Sequence, residues 1–286
     1  MVGMSETTTV EGPRFEVPTS LSPSRVDSFT TCPMAFRFTS IERLGDPPSI
    51  HTTRGSIVHR ALQLAFAKPP EQRTAEVFAA AAEAAITEYR AHPDVSLLDL
   101  DADRLGELEE SCRILVRRYL TMEDPTAIRP IGLEVMLSAR VGNLTLRGII
   151  DRLELRDGEL VVSDYKTGRP PSINWEGRSL AGVHFYAMLC ERVLGRLPVA
   201  IRLLYLSTGE ILESKPSERS ARFVATRTEA VWKAVERACA TGDFQPRPSA
   251  LCDSCAFRRW CPAWGGDAER ARVEAPGALG LGLAAA

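Results

Sequence analysis

Apolar side chains from Gly55 to Ala67 recur at helical spacing, with Ile57, Val58, Ala61, Leu62, Ala65 and Phe66 on one face, and Pro69-Pro70 ends the run. The pattern predicts a helix that carries His59. Two more helical stretches follow, one alanine-rich from about Thr74 to Tyr89 and one from Ala102 to Leu120, which together read as a helical insertion over about 70–125. After Pro130 the period changes to two. Leu133, Val135, Leu137, Ala139 and Val141 alternate with their neighbours, Gly142-Asn143 reads as a hairpin turn into Leu144–Leu155, and Asp157-Gly158 leads into Leu160–Tyr165. Three antiparallel strands in one meander are therefore predicted. A helix from about Leu180 to Leu194, a strand from Ala200 to Leu206 and a long helix from about Ser217 to Thr241 complete an α/β core.

The ends differ in character from this body. Residues 1–20 are polar and rich in Thr and Pro and read as disordered; residues 265–286 end in Gly-Leu repeats and alanines and read as a flexible tail. One domain is expected over 21–264. The 35 basic and 37 acidic side chains nearly cancel, so any polyanion must be held by local charge rather than by a global field. No signal-peptide pattern and no apolar run of membrane-spanning length occurs, which gives the expectation of a cytoplasmic protein without a membrane partner. Seven cysteines in a reducing compartment leave burial, catalysis or metal ligation as their uses.

Two constellations carry chemistry. Asp151 lies in the second strand of the meander and Asp164 ends the third, so neighbouring strands can bring the two carboxylates together. Asp164 and Lys166 are two apart on one strand and share a face. Two anions and an ammonium in one pocket suit phosphodiester hydrolysis, because a hard divalent cation takes oxygen ligands and activates water while a lysine orients that water or stabilises charge on phosphorus. The second constellation is Cys252-x2-Cys255-x5-Cys261, three thiols in a short proline-bounded segment. A fourth ligand is best supplied by Cys32, since Cys112, Cys190 and Cys239 fall within predicted helices among apolar neighbours. On spacing alone an iron-sulfur cluster and a zinc ion both remain open. Phe257, Arg258, Arg259 and Trp260 interleave cations with rings, as a single-strand contact would, or else pack over the thiols; the helix with Arg219, Arg222, Arg227, Lys233 and Arg237 is a second basic surface.

The run Gly148-Ile149-Ile150-Asp151-Arg152, then Asp164-Tyr165-Lys166-Thr167-Gly168, together with Gly55-x3-His59, resembles the RecB-like branch of the PD-(D/E)XK nuclease superfamily. The cysteine pattern resembles the iron-sulfur staple of AddB-type nucleases and related CRISPR-adaptation nucleases. These resemblances imply a restriction-endonuclease-like α/β core, a mixed central sheet flanked by helices, with a C-terminal iron-sulfur loop. They imply that His59, Asp151, Asp164 and the backbone carbonyl of Tyr165 hold Mg2+ or Mn2+, with Mn2+ at least as effective because imidazole tolerates it better. Lys166 would position the attacking water, Glu134 starts the first strand where similar proteins often carry a glutamate, and Tyr186 fits a helper motif whose glutamine is replaced here by Gly182. The four cysteines would hold a 4Fe-4S cluster, a clasp expected to stabilise by roughly 4 to 5 kcal/mol as a long-loop crosslink. The implied activity is that of a DNA exonuclease working on single strands or ends in repair or recombination. No phosphate-binding helicase loop is present, so unwinding falls to a separate protein. A CRISPR-adaptation nuclease and a catalytically silent DNA-binding scaffold are the alternatives.

Overall fold

A computed structural model of the protein describes residues 14–170 and 173–279, with side chains in the second range from 182 onward. Residues 1–13 and 280–286, part of the ends expected to lack order, lie outside the described residues. The chain enters through β1 (Ser20–Leu21) and then α1 (Pro23–Thr31), which Ser22 caps by accepting from the Arg25 N–H. The one-turn α2 (Pro33–Phe36) leads by a π-helical turn to α3 (Ile50–Phe66), whose start is fixed by a capping box between Ser49 and Thr52. Helices α4 (Ala75–Arg90), α5 (Pro93–Leu97) and α6 (Ala102–Tyr119) follow. Then come β2 (Pro130–Val141), β3 (Leu144–Arg156) and β4 (Glu159–Lys166), α7 (Ile173–Leu194), β5 (Ala200–Tyr205), β6 (Glu210–Ser214), α8 (Glu218–Thr241) and α9 (Ala268–Ala278).

Both hairpin turns of the meander form as predicted. Gly142 takes φ 58° at the first turn, and Asp157 and Gly158 take 52° and 82° at the second, the left-handed conformations that two-residue turns between twisted strands require. The mixed sheet runs β2-β3-β4-β5-β6, antiparallel except for the parallel β4–β5 pair, and β1 adds a short parallel pairing with β3. Since β2 occupies one edge of β3 throughout, β1 and β4 share the other. β1 pairs at Thr145 and Leu146 and β4 only from Arg152 onward. The stretch between, ending at Asp151, has no strand beside it on that edge, and the sheet forks there.

Each face of the sheet is covered by its own apolar layer. One joins the sheet to α1, α7, α8 and α9; the other joins it to α3, α4 and α6 through Tyr165, Leu204 and Leu206. The stretch read as a helical insertion is thus one wall of the protein. Residues 14–20, expected to be disordered, are tied in where Phe15 donates its N–H to the Cys239 carbonyl and where Arg37 lies 4.6 Å from the Phe15 ring. The tail beyond 265 forms α9, anchored by the buried Ala268, Ala271 and Ala275. Neither segment shows an apolar stripe: the first is held by the isolated Phe15 and Val17 and the second by alanines.

Candidate active site at the fork

Asp151 stands where β3 and β4 part company, and its carboxylate replaces a missing strand. Its Oδ2 accepts from the backbone N–H of Tyr165 at 2.7 Å, a group that a continuous ladder would have paired with β3. Across the β2–β3 register Glu134 falls opposite Asp151, between the pairs Leu133–Arg152 and Val135–Ile150. Glu134 has φ 49°, a left-handed conformation that costs a non-glycine residue on the order of 1 to 3 kcal/mol. The strain changes which way the strand faces: Leu133 packs with the α3 layer, whereas Val135, two residues on, packs with the α7 layer. Ile150 and Arg152 differ in the same way on β3, since Ile150 belongs to the α7 layer and the Arg152 guanidinium lies 5.1 Å from the Phe66 ring.

His59 reaches this point from α3. Gly55, one turn earlier, faces the residue that follows β4, where a Cβ would make an ordinary contact 3.6 Å from Thr167 Oγ1. The imidazole Nδ1 is 3.4 Å from Asp151 Oδ1 and Nε2 is 3.0 Å from the Tyr165 carbonyl. With Nε2–H donating to that carbonyl, Nδ1 presents its lone pair to the carboxylates. One donor atom each from His59, Glu134 and Asp151 then lies within 4.8 Å of the other two, a span that one ion with bonds of about 2.0 to 2.6 Å can bridge. The Tyr165 carbonyl, expected beside the metal, accepts from the ring in this structure. Asp164 and Lys166 form an ion pair at 2.5 Å, and Asp164 is not in the tight trio.

Electrostatically the site carries an excess of negative charge. Burial, then the Asp151 charge, raises the Glu134 pKa; burial also raises that of Asp164, opposed by Lys166 and reinforced by Asp151. Burial alone would neutralise His59, but Asp151, Asp164 and Glu134 outweigh it and raise its pKa. Two acids whose ionisation is hindered, with a third carboxylate and an imidazole beside them, are a donor set suited to a divalent cation. Tyr186 of α7 borders the same charges and is held protonated by burial and by Asp164, Asp151 and Glu134. Gly182 is exposed, with nothing within 4 Å of where a Cβ would stand, and His184 turns away to Ser214 Oγ at 2.7 Å.

Sequence reasoning missed the support beneath the site. Arg152 is fully buried and holds Glu123 at 2.8 Å, the Tyr165 hydroxyl at 3.0 Å and Ser163 Oγ at 3.0 Å. Glu123 also pairs with Arg202. The residue whose backbone serves both Asp151 and His59 is therefore fixed by its side chain as well. An arginine directly after Asp151 in an apolar strand was the available signal.

The four predicted thiols, from Cys32, Cys252, Cys255 and Cys261, line one cleft against the α7 layer, and Cys112, Cys190 and Cys239 are buried in helices. Burial and the neighbouring thiolates raise the pKa of Cys255 and Cys261. Among the described residues no three of these sulfurs come within 4.8 Å of one another. Phe257 and Trp260 are only 2% and 3% exposed, so neither can stack on bases; Phe257 lines the thiol cleft and Trp260 donates to Glu274. Arg258 is held by Asp253 at 2.8 Å and lies over the Trp264 ring.

A family model for the PD-(D/E)XK nuclease superfamily matches residues 20–262. The chain belongs to that superfamily. No curated protein matches it in sequence. Among solved structures it is similar to a protein from Eubacterium rectale provisionally named an exonuclease, with TM-score 0.54, 14% identity and coverage of 84% of this chain and 88% of that one. It also matches SSO0001 with TM-score 0.42 and 13% identity over 87% of this chain and 88% of the other. The superfamily makes divalent metal chemistry the frame for the fork site. Among the described residues no helix is long and apolar enough to cross a membrane.

Proposed function

We propose that this member of the superfamily is a RecB-like, metal-dependent DNA exonuclease that hydrolyses phosphodiesters in single strands or at DNA ends, in repair or recombination in the cytoplasm. The observation that carries the reading is the fork itself: His59, Glu134 and Asp151 within one ion's reach, beside the Asp164–Lys166 pair. His59, Glu134 and Asp151 would hold Mg2+ or Mn2+, with Asp164 adjoining. Such an ion, when bound, polarises the phosphate and lowers the pKa of a water. Tyr165 presents its N–H to Asp151 and its carbonyl to His59 and so fixes both. Lys166, half-exposed with its charge kept by Asp164, orients the attacking water and faces the charge that grows on phosphorus. The four thiols would hold a 4Fe-4S cluster. The resemblance of the cysteine pattern to the AddB-type staple supports a cluster over a zinc ion.

The test is end-labelled single-stranded DNA with Mn2+, Mg2+ or EDTA, comparing wild type with Lys166→Ala. Metal-dependent loss of label that falls about 100- to 1000-fold in the variant is the expected result. Equal degradation by both proteins would exclude this site. Degradation by neither would favour a silent DNA-binding module, a reading that the missing side chain at Gly182 supports.

A further inference from the structure

One face of the β2–β3 hairpin is left bare, and it begins at the metal site. Facing inward, Leu137, Leu144, Leu146 and Ile150 are buried in the α7 layer, and a Cβ on Gly148 would strike Leu189 and Tyr186 of α7 at 2.9 and 3.1 Å. On the outward face the register places Met136 beside Ile149, then Ser138 beside Arg147, then Arg140 beside Thr145. Met136 is 63% and Ile149 45% exposed, two residues beyond Glu134 and Asp151 respectively. Arg147 and Arg140 are exposed, and neither has an acidic partner among the described residues.

We propose that this face is a track for single-stranded DNA, with the apolar pair against the bases next to the cleavage site and Arg147 and Arg140 on phosphates further out. The inference rests on the nuclease reading and names its substrate form. Base faces are available only in a single strand, so an apolar pair at the mouth discriminates against duplex, while unpaired cations on a sheet of otherwise balanced charge complement phosphate. At about 3.4 Å per strand residue, Arg147 lies roughly 14 Å from Asp151 and Arg140 roughly 20 Å from Glu134. That reach corresponds to about four to six stacked nucleotides, at about 3.4 Å each.

The experiment measures binding of fluorescein-labelled oligothymidylate by anisotropy in EDTA, with 3-mer and 12-mer probes and a 12-bp duplex. Wild type should bind the 12-mer at least tenfold more tightly than the 3-mer and than the duplex. Arg140→Ala with Arg147→Ala should weaken 12-mer binding about tenfold and reduce the slope of log K against log salt by about 1.4, two single-strand phosphate contacts at about 0.7 each. Met136→Ser with Ile149→Ser should erase the preference over duplex, and circular dichroism melts show that each variant folds. Unchanged affinity and slope in the arginine pair would overturn the track. So would a wild-type dimer that Met136→Ser with Ile149→Ser dissociates without loss of DNA binding, since the face would then be an interface between copies. Binding in EDTA involves no cleavage, so the track and the nuclease reading fail separately.

Discussion

Removing the Glu123 carboxylate tests whether the charges beneath the site hold it in place. Glu123 answers two guanidiniums, one of them on Arg152 with no exposed surface, and is itself 6% exposed. Glu123→Ala leaves the buried Arg152 with Glu154, 3.6 Å from its Nε, as its remaining acidic partner, and breaking a buried pair in this way typically costs about 3 to 5 kcal/mol out of a total stability on the order of 5 to 15. With an unfolding entropy of about 2.1 cal/mol/K per residue, the melting point should fall by about 5 to 8 °C. Metal-dependent cleavage should fall too, because Arg152 also anchors the Tyr165 hydroxyl. The pH dependence has a definite sign. Burial opposes ionisation of Glu123, but Arg152 and Arg202 outweigh it and hold its pKa below 4.5. Its contribution is therefore complete above about 4.5 and is lost as pH falls through the lower folded value. Urea unfolding of wild type and Glu123→Ala at pH 7 and at pH 4 reads all of this. A destabilisation under about 1 kcal/mol at pH 7 would refute the reasoning, and the double change Arg152→Met with Glu123→Leu should cost less than Glu123→Ala alone.

Two other substitutions probe the geometry of the fork. Glu134→Gly should be about 1 kcal/mol more stable than Glu134→Ala in urea, since glycine alone adopts φ 49° freely, and both should lose Mn2+ affinity by isothermal titration; equal stabilities would mean the strain is not real. Gly182→Gln should stabilise the protein by up to about 1 kcal/mol through helix propensity and so raise the melting temperature, because a side chain there meets nothing. A lowered melting point would show a hidden contact.

The meander was legible in the sequence because two turn dipeptides and a period of two mark it without help from the rest of the chain. Asp151 could be suspected from its place on a strand beside that of Asp164, but His59 was legible only through resemblance, since a histidine on a helix carries no mark of the fork it reaches. Glu134 could be suspected but not promoted: its place in the trio depends on a left-handed backbone that propensity disfavours. Asp164 and Lys166 illustrate the converse. Their two-residue spacing predicted a shared face, which the ion pair displays. β6 and α9 went unseen, β6 because it is five residues of mixed character and α9 because its buried face is alanine.

The proposed cluster between the chain ends would call for different physics from the crosslink expected of it. A disulfide acts on the unfolded chain because it persists there, which is the origin of the roughly 4 to 5 kcal/mol loop estimate. Metal-bound thiolates let go when the chain unfolds, so their contribution is a binding free energy that depends on metal supply and pH. The same ends are also held without any ion. Phe38 lies 5.1 Å from Phe257, Trp260 donates to Glu274 at 2.9 Å, and Arg37, paired with Glu42 at 2.7 Å, reaches Glu269 of α9 at 3.0 Å. Loss of the bound group should therefore lower the melting point yet leave the fold assembled. Protein purified anaerobically should show broad visible absorbance and bound iron, and chelation or Cys32→Ala should remove both while far-ultraviolet dichroism stays folded at 25 °C. Colourless protein containing zinc would refute the cluster, and complete unfolding on chelation would refute the view that packing closes these ends by itself.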